Sequence, residues 1–247
     1  MALFGINFNF YFLLLCKKFK DAFKSEELWV YLAIMLSAIV VIAFNIKDLF
    51  TSFGEALHHS AFQVSSVMTT TGYATTDFNQ WPELSRMIML GVMCVGACAG
   101  STGGGLKVSR LIILLKSARR EFRHIAHPRT VKIITFDGKK VSDDIVRNTF
   151  AYFFIYAMIF AASVLVVALD NFDFTTTTTS VIATLNNIGP GLNMVGATGN
   201  FSEFSMLSKL VLISDMLLGR LEIFPLLFLF APSKQKVKIF SKIKSRF

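Results

Sequence analysis

Two short stretches hold the clearest chemistry in this sequence: Thr70-Thr71-Gly72-Tyr73-Ala74 and Asn187-Ile188-Gly189-Pro190-Gly191. Each is a glycine-bearing turn that follows a Ser/Thr-rich approach, residues 55–70 in one case and 174–187 in the other. A cation that leaves water needs oxygen to replace its hydration shell, and rings of backbone carbonyls can supply it. Turning a carbonyl inward asks for backbone angles that glycine adopts freely and residues with a Cβ adopt reluctantly. Gly72 and Gly189 are therefore the candidate centres of two cation-coordinating turns. The carbonyls of Thr70, Thr71, Tyr73, Asn187 and Ile188 are their neighbours, with Pro190 next in line. A helix that ends at such a turn points its partly negative C-terminal end at the cation. No Lys or Arg occurs in residues 51–82 or 170–203, so no fixed positive charge in the sequence opposes a cation there.

What must position these turns follows from composition. Hydrophobic residues make up 53 % and charged residues 17 % of the 247, and the apolar ones are gathered rather than spread. Residues 28–44, 87–99, 150–169 and 207–230 are nearly free of charge. A helix needs about 20 apolar residues to cross the hydrocarbon core. Three of the four runs meet that alone, and the second meets it by continuing through the glycines to Leu115. The net charge of +9 is concentrated: of 25 Lys and Arg, 4 lie in residues 16–27, 11 in 107–147 and 6 in 233–247. Short loops rich in Lys and Arg stay on the cytoplasmic side. The basic segments are thus expected inside and the two Thr-rich segments outside, an arrangement that speaks for a bilayer and against nucleic acid as the partner.

The plan occurs twice: span, short dip from outside, span. Leu84-Ser85-Arg86-Met87-Ile88-Met89-Leu90 aligns with Leu207-Ser208-Lys209-Leu210-Val211-Leu212-Ile213, while the dips align on Gly72 and Gly189. The second copy carries about six extra residues between dip and span, as duplication with a loop insertion would leave. The approaches are too short and polar to cross, so each enters and returns on one side. Irregular backbone at membrane depth is tolerated only where protein covers it or it lines water. The expected fold is an all-α membrane protein of two M1–pore helix–M2 repeats with re-entrant filter loops. The expected boundaries are a tail and cytoplasmic linker over 1–27, a first repeat over 28–120, a basic linker over 121–142, a second repeat over 143–232 and a basic tail over 233–247.

A third feature interrupts the span after the first dip: Gly100, Ser101, Thr102, Gly103, Gly104 and Gly105, followed by Leu106 and Lys107. A phosphate-binding loop needs Gly-Lys-Ser/Thr in succession; here Leu106 separates Gly105 from Lys107, and Val108 follows. Three consecutive glycines each cost roughly 1 kcal/mol in a helix, so a break is expected, and a break at that depth is a candidate gate. Arg220 lies within the last span, where a charge costs at least about 2.5 kcal/mol. Two readings stand open for it: an internal pair with Asp215 or Glu222, or a latch on the carbonyls of the glycine-rich loop.

Cys94 and Cys98, spaced i and i+4 on one expected helix face, read as small packing residues. His58 and His59, adjacent and on different faces, make a poor metal pair. His124 and His127 fall in the basic loop. No nucleophile–base or metal-ligand constellation points to an enzyme, and no cofactor is expected. Residues 1–15 lack the basic start and cleavage site of a cleavable leader.

Together, residues 69–78, 100–107, 186–196 and 217–225 resemble the TrkH/KtrB group of the Trk/Ktr/HKT superfamily, bacterial potassium-uptake channels of the inner membrane. The resemblance implies four such repeats around one pore, with Gly72 and Gly189 matching the key glycines of the third and fourth. It implies that the 100–105 loop gates below the filter, that Arg220 interacts with it, and that K⁺ is the transported ion. It also implies homodimers working with a cytosolic TrkA- or KtrA-type nucleotide-binding regulatory subunit. No counterpart of the first two repeats is present, and residues 1–21, with Phe4-Gly5-Ile6-Asn7-Phe8, resemble the tail of a second repeat. The chain is thus expected to be a C-terminal half, with a fragment that conducts only beside its N-terminal half as the alternative. A secondary transporter with broken helices would show inverted repeats, whereas these run in one orientation.

Overall fold

The computed structural model describes residues 1–127 and 133–220. The helices are α1 (Phe8–Leu15), α2 (Phe19–Ala22), α3 (Glu26–Asn45), α4 (Phe53–Met68), α5 (Glu83–Val95), α6 (Val108–Ala126), α7 (Asp143–Val167), α8 (Phe174–Leu185) and α9 (Met206–Arg220). Among the described residues, two runs are long and apolar enough to cross a bilayer, Glu26–Asn45 and Asp143–Asp170. The final expected span continues past Arg220, and that part, with Glu222 and the basic tail, lies outside the described residues.

Helix α3 packs on α4 and α5, and α7 packs on α8 and α9, so each long helix backs a short one and the helix that follows it. Both short helices start on a side-chain cap. The Ser52 Oγ accepts from the Glu55 N–H at 3.2 Å, and the Asp173 Oδ2 accepts from the Thr176 N–H at 3.0 Å. Such caps satisfy donors that a helix start leaves open. The dominant core lies around α3, α4 and α5, with Tyr31, Ile42, Val64, Met68 and Met89 all fully buried.

The break in the second span differs from the sequence expectation. Helix α5 stops at Val95, because Gly96 takes φ +70° and a Cβ there would sit 2.7 Å from the Gly104 carbonyl oxygen. Cys98 therefore lies beyond the helix and shares no helix face with Cys94. The basic linker also contains one element of strand, a hairpin of β1 (Thr135–Phe136) and β2 (Lys139–Lys140). Its turn, Asp137-Gly138, has both residues at positive φ, the geometry that matches strand twist in a two-residue hairpin.

Asp173 offers a test of the outer caps. Partial burial pushes its carboxyl up, but bonds from the Thr176 hydroxyl and N–H and from the Asn193 amide outweigh that and hold it below the ordinary carboxylate value. Glu55 is likewise lowered, by the Thr51 hydroxyl and N–H. A lowered folded pKa means stability that is present above the unfolded value and lost as pH falls through the folded one. Asp173→Ala is expected to cost about 1 kcal/mol at neutral pH. It should also flatten the loss of stability on acidification below pH ~4, as read by unfolding in mixed micelles.

Candidate functional site

The two glycine turns are built alike. Helix α4 closes with the Thr70 N–H on the Val67 carbonyl at 3.1 Å and the Thr71 N–H on the Ser66 carbonyl at 2.8 Å. Helix α8 closes with the Asn187 N–H on Thr184 at 3.0 Å and the Ile188 N–H on Ala183 at 2.8 Å. This is the Schellman closure, which demands a left-handed residue just past the helix. That residue is Thr70 (φ +54°) in one and Asn187 (φ +56°) in the other, with Gly72 (φ +79°) and Gly189 (φ +107°) two positions on. The return segments are held in parallel fashion. The Gln63 Nε2 donates to the Thr76 carbonyl at 2.7 Å, and the Leu192 N–H donates to the Thr179 Oγ1 at 3.0 Å.

The structure brings the two turns together. A Cβ on Gly72 would lie 2.2 Å from the Ile188 carbonyl oxygen and 3.3 Å from the Pro190 Cδ, whereas around Gly189 there is open space. Tyr73 is exposed beside them. A cavity of about 530 Å³ adjoins the second turn, lined in part by Thr70, Thr71, Asn187, Ile188 and Gly189. Above the turns, Asn193 ties the halves: it donates its N–H to the Asn79 Oδ1 at 2.8 Å and accepts from the Arg86 Nη2 at 2.9 Å.

The glycine-rich loop lies against both helix ends. The Gly104 N–H donates to the Thr70 Oγ1 at 2.9 Å. A Cβ on Gly104 would sit 2.4 Å from the Asn186 carbonyl oxygen, and one on Gly103 would sit 3.5 Å from that of Thr69. The glycines therefore let the loop press on the carbonyl ends of α4 and α8 at the same time. Two cations engage its own carbonyls: the Arg220 Nη1 donates to Thr102 at 2.8 Å, and the Lys107 Nζ donates to Gly103. A polar cavity of about 250 Å³ is bounded by the loop, Lys107, Arg110, Tyr152 and Arg220. Asp215, the other partner weighed for Arg220, accepts instead from the Ser163 Oγ at 2.9 Å.

Several contributors carry no sequence signal of their own, and Asn187, singled out for its carbonyl, also acts through its side chain. In the sequence, Lys107 stands only as a residue out of register for phosphate binding. The Tyr156 hydroxyl donates to the Asn186 Oδ1 at 2.9 Å and so fixes the end of α8 from α7. The Asn187 Nδ2 donates to the Met216 carbonyl at 3.0 Å, and Gly219 lets α9 approach, since a Cβ there would overlap the Leu185 carbonyl. The N-terminal segment is also part of the site: the Phe8 N–H donates to the Gly100 carbonyl at 3.0 Å and the Cys98 N–H to that of Gly5 at 3.0 Å.

Comparison with known proteins places the chain by family and by overall fold. The TrkH model, described as a cation transport protein, matches residues 11–239. A Trk system potassium uptake protein TrkH from Salmonella typhimurium is 34% identical over 232 residues, covering 93% of this chain and 48% of that protein. The TrkG protein of Escherichia coli K12 is 34% identical over 234 residues, 92% of this chain and 47% of its own length. The crystal structure of the potassium transporter TrkH from Vibrio parahaemolyticus superposes with a TM-score of 0.85 at 33% identity, covering 94% of this chain and 50% of that one. The chain thus spans about half the length of the curated relatives it matches. With a family match over nearly its whole length and a mostly helical membrane-protein fold shared with a solved member, the chain belongs to the TrkH family of cation transport proteins.

Proposed function

We propose that this chain takes part in potassium uptake, with ions passing the carbonyls of residues 70–73 and 187–190 and the 100–105 loop acting as the gate beneath them. The observation that carries the reading is the close pairing of two identically closed helix ends, with the loop seated on both. Their carbonyl ends converge where a cation is stabilised, and no other oxygen-rich turn pair of this kind is present among the described residues. The relatives are named as potassium uptake proteins, which makes K⁺ the ion of choice. Arg220 and Lys107, each on a loop carbonyl, act as latches of the closed state.

The chain sits in the plasma membrane with its glycine turns outside and its basic segments facing the cytosol. That basic face suits a cytosolic TrkA- or KtrA-type regulator, and the working assembly is a dimer. The expected domain boundaries are retained, with residues 1–8 placed beside the gate loop. The test is growth of a potassium-uptake-deficient bacterium on low potassium. It is supplied with this chain alone, or with this chain and the N-terminal half of a relative. Growth in either case supports the proposal; failure in both, with the protein present in the membrane, overturns it.

A further inference from the structure

The first turn of α3 carries two adjacent carboxylates with different tasks. Glu27 is 3% exposed, and its Oε1 accepts two backbone N–H groups, from Ala99 at 2.7 Å and from Ser109 at 3.0 Å. Ala99 immediately precedes the glycine-rich loop, and Ser109 is the second residue of α6, which follows it. One oxygen therefore joins the entry of the loop to its exit. A plain helix cap would need only the bond to Ser109; the bond to Ala99 reaches across the break.

The neighbouring residue is gripped from the other side. The Glu26 N–H donates to the Asp137 Oδ1 at 2.6 Å, and the Ser25 Oγ donates to the Asp137 Oδ2 at 3.4 Å. Asp137 opens the turn of the β1–β2 hairpin, in which Gly138 at the tip and Lys139 and Lys140 of β2 are exposed. The Glu26 carboxylate pairs with Lys116 of α6, and the same ammonium donates to the Thr135 carbonyl at 2.8 Å. Hairpin, α6 and α3 thus meet at Glu26, one residue from the carboxylate that holds the loop. A cavity of about 360 Å³ runs through this junction and reaches Glu27, Asp137 and Cys98.

We propose that Glu27 is a positioning residue for the gate loop, a carboxylate clasp that ties its two ends, and that the hairpin is the cytoplasmic handle on that clasp through Asp137. The inference rests on the reading of the loop as a gate. Bonds from N–H to an ionised carboxylate are about twice as strong as neutral ones, so the clasp depends on charge as well as shape. A helix start has N–H groups without partners inside the helix. Pulling Asp137 away frees one of them, lets the first turn of α3 loosen, and carries Glu27 with it.

Cys98 is a native reporter, 1% exposed and next to Ala99. With Cys16 and Cys94 changed to Ala, it is the single thiol. The Glu27 charge itself acts on this thiol, and the thiolate is the reacting form, so maleimide rates in membranes are compared at matched thiolate fraction, taken from the pH profile of labelling in each variant; the corrected rate reads how firmly the loop is held. Glu27→Gln keeps the shape and removes the charge, and is expected to speed labelling about tenfold. Asp137→Asn, a surface change with little risk to folding, is expected to speed it by a smaller factor. A separate reporter, Ser180→Cys at a fully buried position of α8 with Cys98 also removed, should label equally slowly in both variants.

An unchanged Cys98 rate in Glu27→Gln, or a matching rise at position 180, overturns the clasp. A rise with Glu27→Gln and none with Asp137→Asn overturns the handle and supports the clasp. Rubidium flux measured in the same vesicles separates this from the gate reading: faster labelling with unchanged flux supports the clasp and overturns the gate.

Discussion

With alanine at position 72, rubidium uptake is expected to fall by about tenfold or more while the protein still reaches the membrane. Two effects act together. The φ of +79° at Gly72 costs a residue with a Cβ about 1–2 kcal/mol. The Cβ would also lie 2.2 Å from the backbone oxygen of Ile188, and backbone cannot rotate away as a side-chain tip can. The two turns must separate, which displaces carbonyls in both of them. Gly189→Ala provides the comparison, because its φ of +107° is as demanding but nothing lies within 4 Å of the added atom. It should disturb its own turn and leave the first intact, so its effect on the K⁺ to Na⁺ uptake ratio should be the smaller. Equal uptake by Gly72→Ala and the parent chain would remove these turns from the ion path.

Arg220→Ala works in the opposite direction. The guanidinium holds the Thr102 carbonyl at 2.8 Å, and a hydrogen bond from a charged donor contributes about 1.5–3 kcal/mol. Without it the closed loop loses that preference, and ion flux is expected to rise by about tenfold or more. The Lys107 bond to Gly103 remains, so the loop is weakened rather than freed, and Lys107→Met added to Arg220→Ala should raise flux further. Unchanged or lower flux in folded Arg220→Ala protein would return Arg220 to a purely structural role. Flux in liposomes, with the amount of folded protein measured in parallel, decides between them.

Much of the candidate site can be read along the chain because its signals are local. Glycine after a Thr-rich run marks Gly72 and Gly189, and helix length and polarity separate the short α4 and α8 from the long α3 and α7. The glycine triplet marks the break, and an arginine amid apolar residues marks Arg220. What escapes is contact between distant residues. Glu27 meets Ala99 and Ser109 from 72 and 82 positions away, and as one of two acidic residues after a basic stretch it looks like an ordinary helix start. Tyr156 looks like any aromatic of an apolar helix until α8 places Asn186 against it. The break starts at Gly96 because the Gly104 carbonyl occupies the place of its missing side chain, and hydropathy carries no trace of that.

Thr70 takes a left-handed backbone that β-branched residues rarely tolerate, where the second turn uses the more accommodating Asn187. Its hydroxyl is also the acceptor for the Gly104 N–H. The same residue therefore shapes the first turn and anchors the loop below, so loosening the loop changes the forces on the carbonyls around Gly72. Whatever coupling free energy this shared residue creates between ion binding at the turn and opening of the loop acts equally in both directions, by reciprocity. Under the proposed function, an ion that prefers the turn as the seated loop shapes it holds the loop down. An ion that prefers the relaxed turn helps lift it, and the factor by which it does so equals the factor by which opening tightens its own binding.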